Sequence, residues 1–179
     1  YFIWLASDDR LLPSFLERAV ETLDADPECG LVFCDYVVRN LESHEESAVY
    51  VSSANSSNAF VRCLIRIVDM CPSLIYGMFR RSSMNEAILE NFDFADIHYV
   101  MQIAIKNRIK ILCEPGYVAG VKGNRIPYSL TGKKINRTAF LKKEISLFFS
   151  NMSFIYAGFL SALLILMMTK NCLMLKEIS

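Results

Sequence analysis

The chain opens on an apolar, aromatic run, Tyr1-Phe2-Ile3-Trp4-Leu5, which stops at Ala6-Ser7-Asp8-Asp9. An apolar run ending in a polar loop predicts a buried strand. Pro13 suits the first turn of a helix, where its missing N–H costs nothing. Phe15, Leu16, Ala19, Val20 and Leu23 then recur at helical spacing until Asp26-Pro27 and Gly30. Leu31–Val38 reads as a second strand, and the polar stretch from Arg39 to Asn58 as a long loop with a short strand at Ala48–Val51. Ala59–Met70 predicts a helix closed by Pro72, Leu74–Phe79 a strand, and Ser82 or Ser83 a cap for a short helix through Leu89. Ile97, Val100, Met101, Ala104 and Ile105 fall at i, i+3, i+4, i+7 and i+8, the clearest amphipathic helix in the chain. Ile109–Cys113 and Tyr117–Val121 read as short strands around Glu114-Pro115-Gly116. Strands alternate with helices, so the expected class is α/β.

Farther on the pattern changes. No charged residue occurs from Ile145 to Thr169, a run of 25 positions. At about 1.5 Å per residue a helix of that length covers roughly 37 Å, against about 30 Å of hydrocarbon core. The run therefore predicts a C-terminal hydrophobic helix that spans or associates with a membrane. Ser146, Ser150, Asn151, Ser153 and Ser161 interrupt it, as they would a buried or in-plane helix. Lys133, Lys134, Arg137, Lys142 and Lys143 crowd its N-terminal side. The positive-inside rule then places the preceding domain on the cytoplasmic side of the cell membrane. The expected division is a domain over 1–125, a basic linker over 126–144, the hydrophobic helix over 145–169 and a tail over 170–179.

Composition narrows the classes. With 179 residues the chain holds one domain. Lys+Arg and Asp+Glu both number 19, which argues against a nucleic-acid partner. A hydrophobic fraction of 53% and a mean hydropathy of +0.29 leave apolar surface to meet something other than water. The six cysteines form no C-x-x-C pair, and with only His44 and His98 available no zinc-ligand spacing arises, so they read as buried free thiols. The N-terminus has neither a basic segment nor a small-residue cleavage site, and reads as a fold entered part-way through.

Candidate chemistry gathers on acidic residues. Asp8 and Asp9 end a predicted strand, where α/β folds place ligands. Adjacent carboxylates repel unless a cation stands nearby, and a hard divalent ion shared with phosphate oxygens answers that need. Either residue equally suits a cap before Pro13. The order of motifs then resembles the family 2 glycosyltransferases. Tyr1 to Arg18 is similar to the segment carrying that family's D-x-D motif, an apolar strand, an acidic loop and a Pro-led helix. Pro27-Glu-Cys-Gly-Leu-Val-Phe-Cys-Asp35 resembles the next helix end and strand. Ile75-Tyr-Gly-Met-Phe-Arg-Arg-Ser82 is similar to a G-x-F-R-R strand, and Phe92-Asp-Phe-Ala-Asp96 to the acidic segment holding the catalytic base. Coverage runs over roughly positions 1 to 122.

The resemblance implies a partial GT-A (Rossmann-like) mixed sheet flanked by helices. It also implies inverting transfer of a sugar from a nucleotide-diphosphate sugar to a hydroxyl on a glycan, lipid or protein acceptor. Asp96 would be the catalytic base, with Asp93 competing for that role. Asp8 and Asp9 would hold a divalent Mn or Mg ion. Arg80 or Arg81 would meet phosphate or an anionic acceptor, and Lys122 or Arg125 the diphosphate. Without the resemblance, Asp96 reads as a cap of the Ile97 helix and the arginines as a solvated pair. The chain departs from the family in three places. Ala6 stands where D-x-D begins, no His follows the last strand, and the N-terminal βαβ half that holds the nucleotide is missing from the sequence. A non-catalytic, membrane-anchored remnant of the fold is the competing reading, and a hydrolase built on Asp8 and Asp9 ranks below both.

Overall fold

The computed structural model describes residues 1–121 and 137–174, with side chains to Thr169. The chain is α/β, with a mixed sheet flanked by helices. Its strands are β1 (Phe2–Ile3), β2 (Arg10–Leu11), β3 (Cys29–Asn40), β4 (Glu46–Val49), β5 (Met78–Phe79) and β6 (Arg108–Val121). The helices are α1 (Pro13–Ala25), α2 (Ala59–Val68), α3 (Arg81–Asn85), α4 (Ala95–Lys106), α5 (Arg137–Asn151) and α6 (Phe154–Met174), with a 3-10 turn at Pro72–Tyr76.

The sheet runs β1-β5-β3-β6-β2, and β4 pairs with β3 off this path. Its centre is the long parallel pair β3 and β6, with Leu31 opposite Ile109 and Tyr36 opposite Tyr117. All other pairings are antiparallel. The two strands expected at Ile109–Cys113 and Tyr117–Val121 are one strand. Glu114-Pro115-Gly116 forms a bulge between them, because Leu112 pairs with Cys34 and Tyr117 with Tyr36. A bulge is where a sheet tolerates a proline. Gly116 has no room for a side chain, since an added Cβ would lie 2.8 Å from the Phe15 ring.

The strand expected over Leu74–Phe79 shrinks to two residues. Pro72 starts the 3-10 turn, and Gly77 then lets the chain press onto β3, where a Cβ would meet Leu31 Cδ1 at 2.5 Å. The opening run is also corrected. β1 is an edge strand of two residues, and Tyr1, Phe2 and Leu5 are exposed.

Two cores meet on α4. Tyr99, Val100, Ile103 and Ala104 belong to the same core as Phe33 and Phe79 of the sheet, with Tyr99 against the Phe79 ring. Met101 and Ile105, on its other side, join Cys63, Ile67, Phe148 and Leu160 from α2, α5 and α6. Buried Arg62 locks this arrangement by donating to the carbonyls of Ala104 (2.6 Å) and Ile105 (2.7 Å) at the end of α4. Of the cysteines with described side chains, Cys29, Cys34 and Cys63 are buried free thiols, whereas Cys113 is exposed. Burial pushes the Cys34 and Cys63 thiols up to about 12.

The uncharged C-terminal run is not one helix. α5 ends at Asn151, whose side chain donates back to the Leu147 carbonyl (2.8 Å), and α6 begins at Phe154. Side-chain to backbone bonding of this kind competes with helix continuation. Phe149 and Phe154 close the two-residue turn edge to face, 5.3 Å between centroids. Among the described residues no helix is long and apolar enough to cross a membrane.

Candidate active site

A cavity of about 610 Å³ lies against one face of the C-terminal halves of β3 and β6, lined there by Tyr36, Val38, Tyr117, Ala119 and Val121. Tyr36 and Tyr117, partners in the β3–β6 register, form part of its wall. Tyr76 stacks on Tyr117 with planes 15° apart and centroids at 5.8 Å. Burial, then the hydrogen bond to Asp9, raises the Tyr117 hydroxyl well above its ordinary range, so it acts as a donor and not as an acid.

Four carboxylates line this cavity, from two stretches more than eighty residues apart: Asp8 and Asp9 from one, Asp93 and Asp96 from the other. The loop after β1 arrives by being clipped to β6. Asp9 accepts a hydrogen bond from the Gly120 N–H at 2.9 Å and another from the Tyr117 hydroxyl. Gly120 accommodates the loop because a Cβ there would fall 2.1 Å from the Asp8 carbonyl oxygen. Both Asp9 oxygens are thus engaged in holding the loop. Asp8 is exposed, and among the described residues its carboxylate accepts no hydrogen bond.

The other pair is set by the start of α4. Phe94 is the N-cap, in the left-handed region at φ 67°, a conformation unusual for a bulky residue. Packing of its ring against Phe140 at 5.3 Å helps to hold it there. Asp96 therefore sits in the first turn of α4, past the cap, and accepts from the Ile97 N–H at 2.8 Å. Asp93 also carries a bonding partner.

The remaining expected residues stand elsewhere. Arg80 lies outside the cavity wall. It donates to the carbonyls of Cys29 (3.0 Å), Asp26 (3.1 Å) and Leu23, and so terminates α1. Its guanidinium satisfies orphan helix carbonyls where phosphate contact was expected. Lys122 and Arg125 lie outside the described residues. Among the described residues no group of three His, Cys, Asp or Glu is arranged to hold a metal ion. The tyrosine wall escaped the sequence reading, because an aromatic residue on a central strand reads equally well as core. The parallel register of Tyr36 and Tyr117 is the signal that separates the two.

No family model matches the chain, and no curated protein matches it.

Proposed function

We propose that the cavity is the acceptor side of a glycosyl-transfer site, acting on a nucleotide-activated sugar with inversion. One observation carries this reading. Carboxylates from the first loop and from the start of α4 line the same cavity, so one can face the donor phosphates and another the attacking alcohol. An acceptor hydroxyl loses its proton as it attacks the anomeric carbon, and Asp96, with Asp93 beside it, is the group to take it. Asp8, exposed and accepting no hydrogen bond, suits a divalent ion that otherwise relies on substrate phosphates and water, as Mg²⁺ commonly does. Such an ion, when bound, offsets the charge that develops on the leaving diphosphate. Asp9 serves by fixing the loop that presents Asp8. The tyrosine wall supplies the apolar surface that most ligand pockets use around a few polar groups.

A second reading has its own support. Ala6 replaces the first acid of the loop, and Asp9 and Arg80 are already engaged by backbone groups. Few groups then remain to grip a donor, as in a non-catalytic remnant. Titration of nucleoside-diphosphate sugars with Mn²⁺ or Mg²⁺ separates the two. The transferase reading expects metal-dependent binding that Asp8→Asn weakens at least tenfold. A remnant gives no metal-dependent binding.

A further inference from the structure

The α5–α6 hairpin is only half covered. Ala157, Leu160, Leu164 and Met168 bury one face of α6 against the second core. The opposite face carries Ile155, Phe159, Ile165 and Leu166 in the open, and Phe154 and Ile155 are 79% and 78% exposed at the tip. A helix apolar on every side belongs in a core or in lipid. An exposed patch of this kind marks an interaction surface.

Charge selects the partner. From Lys122 to Lys143 the chain carries seven basic residues and no acidic one, although its net charge is zero. Four of these precede α5 in the sequence, and Arg137, Lys142 and Lys143 lie on its first turns, Lys142 exposed and Lys143 paired with Glu90. Basic segments beside exposed apolar helices are drawn to anionic lipid headgroups. The polar side chains of the hairpin also suit a lipid boundary. The exposed hydroxyls of Ser150 and Thr169 each donate to a carbonyl of their own helix, at 2.8 Å, and so carry no unmet donor into an apolar layer.

We infer that the α5–α6 hairpin docks in plane on an anionic membrane surface, its outer face in the headgroup–acyl boundary and the exposed Lys142 of α5 toward the lipid charge. A peripheral anchor of this kind replaces the spanning helix that the uncharged run predicts. The inference is independent of the chemistry of the cavity.

Co-sedimentation of the chain with phosphatidylcholine vesicles, with and without phosphatidylserine, tests it. Binding should be at least tenfold stronger to the anionic vesicles, fall with added salt, and be lost in Ile155→Glu at unchanged circular dichroism. Lys142→Glu should weaken only the anionic component. If Ile155→Glu fails to fold, Tyr156→Trp with brominated lipids gives the same answer, since quenching beyond that of Trp4 is expected at a seated tip. Equal binding to neutral vesicles, retained binding by Ile155→Glu, or unquenched Tyr156→Trp overturns the proposal. So does a concentration-dependent dimer that Ile155→Glu abolishes without any vesicle binding, which would assign the face to a second copy. Extraction only by detergent, and not by alkaline carbonate, would indicate a span instead.

Discussion

Asp9 accepts the backbone N–H of Gly120 at 2.9 Å, and through that bond the acidic loop after β1 is fastened to the end of β6. The fastening depends on the bare Cα of Gly120, since any Cβ would collide with the Asp8 carbonyl. Gly120→Ala should therefore push the loop off the sheet. Overpacking of this kind costs about 1–3 kcal/mol, readable as a lower urea midpoint. Metal-dependent donor binding should fall with it. Asp9→Asn should also weaken binding, by loosening the loop. An unchanged midpoint in Gly120→Ala would show that the loop is not held there.

Arg80 gives a contrasting expectation. Its guanidinium bonds to the Leu23 and Asp26 carbonyls at the end of α1 and to that of Cys29 at the start of β3, so Arg80→Met should destabilise the fold by about 2–4 kcal/mol by leaving those acceptors unpaired. Donor affinity per folded molecule should not change. Loss of affinity at full stability would return Arg80 to the phosphate site.

Much of this architecture is legible in the sequence, and the failures have physical reasons. The helical spacing of Phe15, Ala19 and Leu23 and of Val100, Met101 and Ala104 locates α1 and α4, because each residue is in fact buried. Pro115-Gly116 reads as a strand break but is a bulge, since local turn chemistry does not reveal a parallel partner that continues past it. The uncharged run locates apolar helices but not the turn at Met152-Ser153, which depends on where Asn151 bonds. At the site, acidic residues at a strand end and a helix start are visible from sequence alone. Whether a guanidinium meets carbonyls or phosphate is not, and Arg80 follows the carbonyls.

The pair His98–Glu144 links α4 to α5 at 2.7 Å, with Glu144 fully buried and its Oε2 without a hydrogen-bond partner among the described residues. Burial raises the Glu144 carboxyl above its ordinary value, against the opposing effect of His98. The sign follows from proton linkage. Below the unfolded value the folded state carries no ionisation penalty, and the penalty grows as pH rises toward the folded value. His98→Ala should thus destabilise by about 3–5 kcal/mol at neutral pH, less in acid. Glu144→Gln in the same background should restore most of the loss. Thermal melts across pH would read both effects, and a pH-independent loss would contradict them.

Asp26 has the opposite sign. Its bond from Lys110, at 2.8 Å, lowers its carboxyl below the unfolded value of 3.8, aided by the Glu28 N–H and Arg108. That contribution is complete above the unfolded value and disappears as pH falls through the folded one. Asp26→Asn should flatten the acid limb of the stability profile below about pH 4. An unaltered limb would assign it to other carboxylates.

The shared cavity remains the claim on which the functional reading rests, and Asp96→Asn addresses it most directly. Removing the base while keeping its shape should lower sugar transfer by at least about a hundredfold. Nucleotide-sugar affinity, measured on the same preparation by calorimetry, should stay within about threefold, well under the ~1.4 kcal/mol of a tenfold change. Equal loss of transfer and affinity, or transfer undiminished, would contradict the account.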